Sequence, residues 1–257
     1  MARPRERGPW FWRSAIGIMV ALVLALFGFI AFNSSPALVA DTACRVDRKD
    51  PAHTIILIDQ SDPFNENDLG WVYEFVDTEA RALPRYGRLT VLTPNSSSPY
   101  DPKTVFVQCS PGSVEDANPI LQNPRMIDDT WRDTFYTPLI GQIENTLRDT
   151  RQPSSPLVEA VYSIGDRADF QASRKNRRVI VVSDLMQHSQ GFSFYRKGAD
   201  MEAFRASGLS ASRPSFSGAE IVARIVPRQE YDLPIEQVKA FWRTYFDEAG
   251  ASYGSVN

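Results

Sequence analysis

Two runs of β-branched and aliphatic residues set the strongest limit on how this chain folds. They are "TIILID", which stops at Asp59, and "RRVIVVSDL", which carries Asp184. Apolar runs of this length without polar alternation read as strands buried on both faces, the condition of a parallel sheet. Parallel neighbours cannot share a tight turn, so each needs a crossover, usually a helix. The segments between the runs have that character. From Asn67 to Leu83 apolar residues recur at Leu69, Val72, Tyr73, Val76 and Leu83, and Asp62 or Asn65 stands where a helix would be capped. "PLVEAVYSIGDRADF" opens with Pro156, suited to a first helical turn. "PIEQVKAFWRTYFDEAG" aligns Val238, Phe241, Trp242 and Tyr245 on one face.

The remaining segments fill in the layer. "GRLTVLTPN" and "KTVFVQCSPG" are joined so closely that they should pair antiparallel. "NPRMIDDTWRDTFYTPLIGQIENTLRDT" reads as one long helix, or two broken near Pro138. "AEIVARIVPR" is a further strand, and "DMEAFRAS" a short helix in a region rich in Gly, Ser and aromatic residues. No sixth strand is evident on either side of the final helix. The expected fold is α/β, a mostly parallel central sheet with helices on both faces, preceded by one N-terminal transmembrane helix.

That last element rests on composition. Arg3, Arg5, Arg7 and Arg13 precede an uncharged run from Ser14 to Phe32. Nineteen helical residues span roughly 28 Å, close to the hydrocarbon thickness of a bilayer. Trp10, Phe11 and Trp12 would sit among headgroups, and the arginines would stay cytoplasmic. The organisation expected is a basic tail over 1–13, a transmembrane helix over 14–32, a linker over 33–50 and one domain over 51–257. A cleaved signal peptide is the competing reading, with "ALVA" before Asp41 as the nearest cleavage site. Either reading exports the domain. The expected location is the inner membrane, single-pass, with the domain in the periplasm; the alternative is a soluble periplasmic protein. Cys44 and Cys109, the two cysteines, both lie past the apolar run and can bridge in an oxidising compartment, although two separate buried thiols are the other reading. A net charge of −3 argues against a nucleic-acid partner.

In open α/β sheets ligands bind at the carboxyl ends of strands, where Asp59 and Asp184 fall. Two carboxylates drawn together call for a cation or protons between them. With neighbouring hydroxyls they make the hard oxygen set that Mg²⁺ or Mn²⁺ accepts. The expected metal ligands are Asp59, Ser61, Ser155 and Asp184.

These residues, in this order, resemble the von Willebrand factor A (VWA) domain and its metal-ion-dependent adhesion site. The D-x-S-x-S of that site is met by "DQSDP", with Asp59 and Ser61 in place and Pro63 where the last serine belongs. The threonine of its T-P-L-x-E-A-L-like loop corresponds to Ser155 in "SPLVEAV", and its strand-ending aspartate to Asp184 in "VIVVSDL". Proline brings no side-chain ligand, so the site is partly degenerate. The resemblance implies a protein-binding module in which a partner's carboxylate completes the coordination of the metal. Asp62 and His188 would lie on the partner-binding rim. No nucleophile–base motif is evident. A metal-independent structural subunit of an envelope complex is the alternative. A metal-dependent phosphohydrolase with Asp59 as nucleophile is a weaker one, because Ser61 stands where a second carboxylate is expected. The basic run Arg174, Lys175, Arg177 and Arg178 reads as a solvated turn.

Overall fold

Strand β1 (Ala52–Ile58) is buried along its whole length, and its side chains divide between two cores. Ile55 and Leu57 enter one hydrophobic cluster, Ile56 and Ile58 the other. This is the two-sided burial that the unbroken apolar run requires. The computed structural model describes residues 9–32, 36–61, 63–117, 123–148, 152–171, 176–211, 213–226 and 233–256. Asp62, Arg174 and Lys175 fall outside them, as do the basic residues before Pro9.

The other strands are β2 (Arg88–Thr93), β3 (Lys103–Cys109), β4 (Asn176–Ser183), β5 (Ala219–Ile225) and β6 (Ser252–Val256). They lie in the order β3-β2-β1-β4-β5-β6. Every pairing is parallel except β2 with β3, the expected hairpin. β1 and β4 pair Ile56 with Ile180 and Ile58 with Val182, so their carboxyl ends emerge side by side. Helix α2 (Glu66–Arg81) begins with a reciprocal capping box: Asn65 accepts from the Asp68 amide, and Asp68 accepts from the Asn65 amide. It packs Val72, Phe75 and Val76 on the face that carries Ile56. On the opposite face lie α5 (Leu157–Asp166), followed by the one-turn α6 (Ala168–Gln171), and α9 (Ile235–Glu248), the last of the helices. Val238, Phe241, Trp242 and Tyr245 of α9 are all buried, as their spacing predicts. Short helices α7 (Phe194–Lys197) and α8 (Met201–Arg205) precede β5, and Asp200 caps α8.

Two expectations are revised and one open alternative is resolved. First, the sheet has a sixth strand: β6 pairs Tyr253 with Ile221 and stacks its ring on Phe246 of α9. "SYGSV" has little strand propensity, so it is pairing with β5 that makes it a strand. Second, the helix around Pro138 does not break. α3 (Pro124–Trp131) runs through a π-helical turn, Arg132–Tyr136, into α4 (Thr137–Arg148). Proline has no N–H for the carbonyl of Thr134, and the side-chain amide of Gln108 on β3 donates to it instead, at 2.8 Å. Third, Arg178 does not end in solvent. It is ion-paired to Glu79 at 2.6 Å and to Glu220 at 3.2 Å, while Arg177 lies over the Phe170 ring.

The chain divides into two units, Met1–Ala37 and Leu38–Asn257. In the first, α1 (Pro9–Phe32) holds a stretch, Trp10–Phe29, with mean hydropathy 1.9, long and apolar enough to cross a membrane. The second begins inside the segment read as linker. Residues 38–45 form a small hairpin with Leu38 bridged to Arg45, and the Thr42 carbonyl accepts from the Cys109 amide at the edge of β3. Cys44 and Cys109 are disulfide-bonded, 65 residues apart. A closed loop of that length contributes about 4 kcal/mol in the chain-entropy account. The Cys44→Ser, Cys109→Ser double variant should therefore lose about 4 kcal/mol in urea unfolding, with little change in far-ultraviolet circular dichroism before the transition.

Candidate functional site

Asp59 is the first residue past β1, and its backbone N–H still donates to Val182 of β4 at 2.9 Å. The ladder thus carries a carboxylate into a setting where it is only 6% exposed. A charge so placed must be met by protein donors. Ser155, from the loop before α5, donates its hydroxyl to Oδ2 at 2.6 Å. Ser183, the last residue of β4, donates to the same oxygen at 2.9 Å. Oδ1 accepts the Ser61 backbone N–H at 3.0 Å, and the Ser61 hydroxyl also bonds this carboxylate. Burial pushes the Asp59 carboxyl above its ordinary value; the bonds from Ser155, Ser61 and Ser183 pull it back in part.

Asp184 follows at once. Its Oδ1 accepts the Met186 N–H at 2.9 Å and lies 3.4 Å from the Ser183 hydroxyl. That hydroxyl has one proton, and the shorter contact takes it to Asp59, while its oxygen accepts the Leu185 N–H at 2.9 Å. The structure therefore brings Asp59, Ser61, Ser155 and Asp184 to one edge of the sheet and adds Ser183 between the two aspartates. Asp62 lies outside the described residues. His188 is beside the cluster in backbone terms: its N–H donates to the Ser155 carbonyl at 2.8 Å. Its ring turns to Ser193, 2.9 Å from Nδ1, and lies edge-on to Tyr195.

Gln187 and Gln152, which sequence reasoning passed over, and Trp242, which it read only as core packing, hold the loops in place. Gln187 is fully buried; its side-chain carbonyl caps α5 at the Val158 N–H, 2.8 Å away, and its amide donates to the buried Glu159 at 3.0 Å. Pro156 offers α5 no side-chain cap, so the cap comes from another segment. Gln152 accepts from the backbone and hydroxyl of Ser96 and donates to the Pro94 carbonyl, all at 2.8 Å. Trp242 of α9 donates its indole N–H to the Leu185 carbonyl at 2.9 Å. Leu185 has φ +66, a left-handed conformation that a leucine adopts at a cost. Its burial, together with the bonds at its N–H and C=O, holds it there.

Chemically, the site is two carboxylates and three hydroxyls, all hard oxygen donors. Among the described residues there is no cluster of three or more His, Cys, Asp or Glu placed to hold a metal. Any cation here would be held by the aspartates together with the serines.

No family model and no curated protein matches this chain. Among solved structures, the pilus adhesin SpaC of Lactobacillus rhamnosus GG, in an open conformation, resembles it with a TM-score of 0.47 and 9% identity. The match covers 87% of this chain and spans 29% of the adhesin. A likeness at that level fixes neither family nor activity.

The raised carboxyl has a consequence for stability. A folded-state value above the unfolded one makes Asp59 stabilising at acid pH, where both states hold the proton. That contribution is lost as pH rises from the ordinary aspartate range through the raised folded value. In cation-free buffer, Asp59→Asn should gain on the parent as pH is raised from about 4 towards neutrality, the ordinary aspartate value being near 3.9. Urea unfolding at several pH values would check it, and parallel pH profiles for the two proteins would contradict it.

Proposed function

We propose that this chain is a membrane-anchored, exported protein-binding module of VWA-like architecture. It engages a partner protein through the carboxyl edge of its sheet, with Mg²⁺ or Mn²⁺ held by Asp59, Ser61, Ser155 and Asp184 and assisted by Ser183. One observation carries the reading: a buried carboxylate at the end of β1 is bonded to hydroxyls 96 and 124 residues away, beside a second carboxylate at the end of β4. A cation there would offset the charge that burial disfavours, and the donor set suits a hard ion. When bound, the cation would supply a coordination position for a carboxylate of the partner. This chain's own part is to orient the oxygens. Ser155 is fixed through its backbone by His188, and Asp184 by the Met186 amide. Pro63 contributes no side-chain oxygen. Export is supported by α1 and by the disulfide, which oxidising compartments permit.

A second reading has its own support. Asp59 is already satisfied by protein donors, as a scaffold without a metal would require. On that reading the chain is a metal-independent structural subunit of an envelope complex.

Thermal unfolding with and without MgCl₂ or MnCl₂ separates the two. Cation at a hundred times its dissociation constant should stabilise the parent by about 2.7 kcal/mol and leave Asp59→Ala unmoved. Equal responses in both proteins would remove Asp59 from the site, and no response in either would leave the scaffold reading.

A further inference from the structure

The disulfide-pinned segment Leu38–Lys49 takes no part in the site at the sheet's carboxyl edge, and its surface is unusual. Leu38, Val39 and Val46 are 45%, 42% and 58% exposed within nine residues of one another. Arg48 and Lys49 are exposed beside them, and Arg45 is joined to Asp47 at 2.7 Å. The guanidinium groups of Arg45 and Arg85 lie over the Tyr86 ring, 6.0 and 5.0 Å from its centre. One surface thus gathers exposed aliphatic side chains, a tyrosine and four cations, of which Arg45 is paired with Asp47, with the exposed acids Asp41 and Asp116 near the others.

We infer that this hairpin, with the Arg85–Tyr86 turn, is a docking surface for a bilayer containing anionic phospholipid. The inference rests on the anchored reading of α1. Three features point to a bilayer. Leu38 comes six residues after Phe32, the end of α1, a reach of at most roughly 21 Å of extended chain. A membrane-spanning α1 therefore keeps Leu38 within that distance of the bilayer surface. The composition matches an interface, where aliphatic side chains enter the acyl boundary, tyrosine sits at headgroup level and arginine and lysine meet lipid phosphates. The hairpin is also bonded into one shape before it binds. Val39 and Cys44 are bonded through their backbones at 2.8 Å, Ala43 donates to the Val39 carbonyl at 2.9 Å, and the disulfide ties the hairpin to β3. Little ordering remains to be done on contact.

The test uses the full chain in nanodiscs of phosphatidylcholine, with or without phosphatidylglycerol, and reads hydrogen exchange over residues 38–49. Each cation near an anionic surface strengthens contact by roughly fivefold. Exchange should slow at least that much when phosphatidylglycerol is present, and salt should reverse the effect. The triple variant Arg48→Gln, Lys49→Gln, Arg85→Gln should lose the response. Equal exchange in both kinds of disc would overturn the docking surface while leaving the anchor standing. A chain that leaves the discs, or whose intact mass lacks α1, would overturn the anchored reading and the docking with it.

Discussion

A carboxylate taken out of water at the end of a parallel strand must find in the protein the hydrogen bonds it gave up. For Asp59 those bonds come from three segments, and this requirement organises the carboxyl edge of the sheet. Ser183 arrives because β4 pairs with β1 in a register that brings their ends level. Ser155 arrives because its loop is held against the next one by the His188 backbone and by the Gln187 cap on α5. Remove the register or the cap and a buried charge is left under-satisfied. Such an error costs more than a missing surface bond. The strain at Leu185 belongs to the same arrangement, since a tight reversal directly after Asp184 lets the Ser183 hydroxyl accept the Leu185 amide.

What could be read from the sequence divides along a physical line. β1, β4 and α9 were legible because burial on both faces, or on one helical stripe, writes itself into residue type at a fixed period. Asp59, Ser155 and Asp184 were legible because each interrupts or borders such a pattern. Ser183 was not, because a serine before an aspartate at a strand's end looks like the start of a loop. Gln152, Gln187 and Trp242 were hidden for a different reason. They act on backbone groups 58, 29 and 57 residues away respectively, and no local pattern marks an amide or indole that caps a distant carbonyl or amide. β6 and the π-helical turn were missed because both are tertiary effects: one strand is made by its neighbour, and one proline is accommodated by a glutamine from the sheet.

The amino-terminal boundary teaches the same lesson at larger scale. Residues 33–50 have a linker's composition, polar and without periodicity. Their order from Leu38 onward comes with one covalent bond and one backbone hydrogen bond to Cys109 at the end of β3, and with backbone bonds inside the segment. Composition reports whether a segment can bury enough apolar surface to fold by itself. It does not report that a cross-link 65 residues long has supplied the order by another route.

The metal-bound and metal-free readings of the site also share more than they first show. A hydroxyl donates one proton and keeps two lone pairs. Ser155 can satisfy Asp59 with its proton while turning oxygen towards a cation, and the same holds for Ser61. The bonds that make Asp59 comfortable without a metal would thus orient neutral oxygens for one, with the carboxylate's charge felt through them. On this view the network is a prepared surface whose affinity depends on how many oxygens remain. On the VWA-like reading Pro63 would take one away, and Ser183 would not fully replace it, because a lone pair is already committed to the Leu185 amide. On the proposed reading, the balance between scaffold and metal-dependent module turns on the oxygens these serines keep free, set against the cost of burying the Asp59 carboxylate.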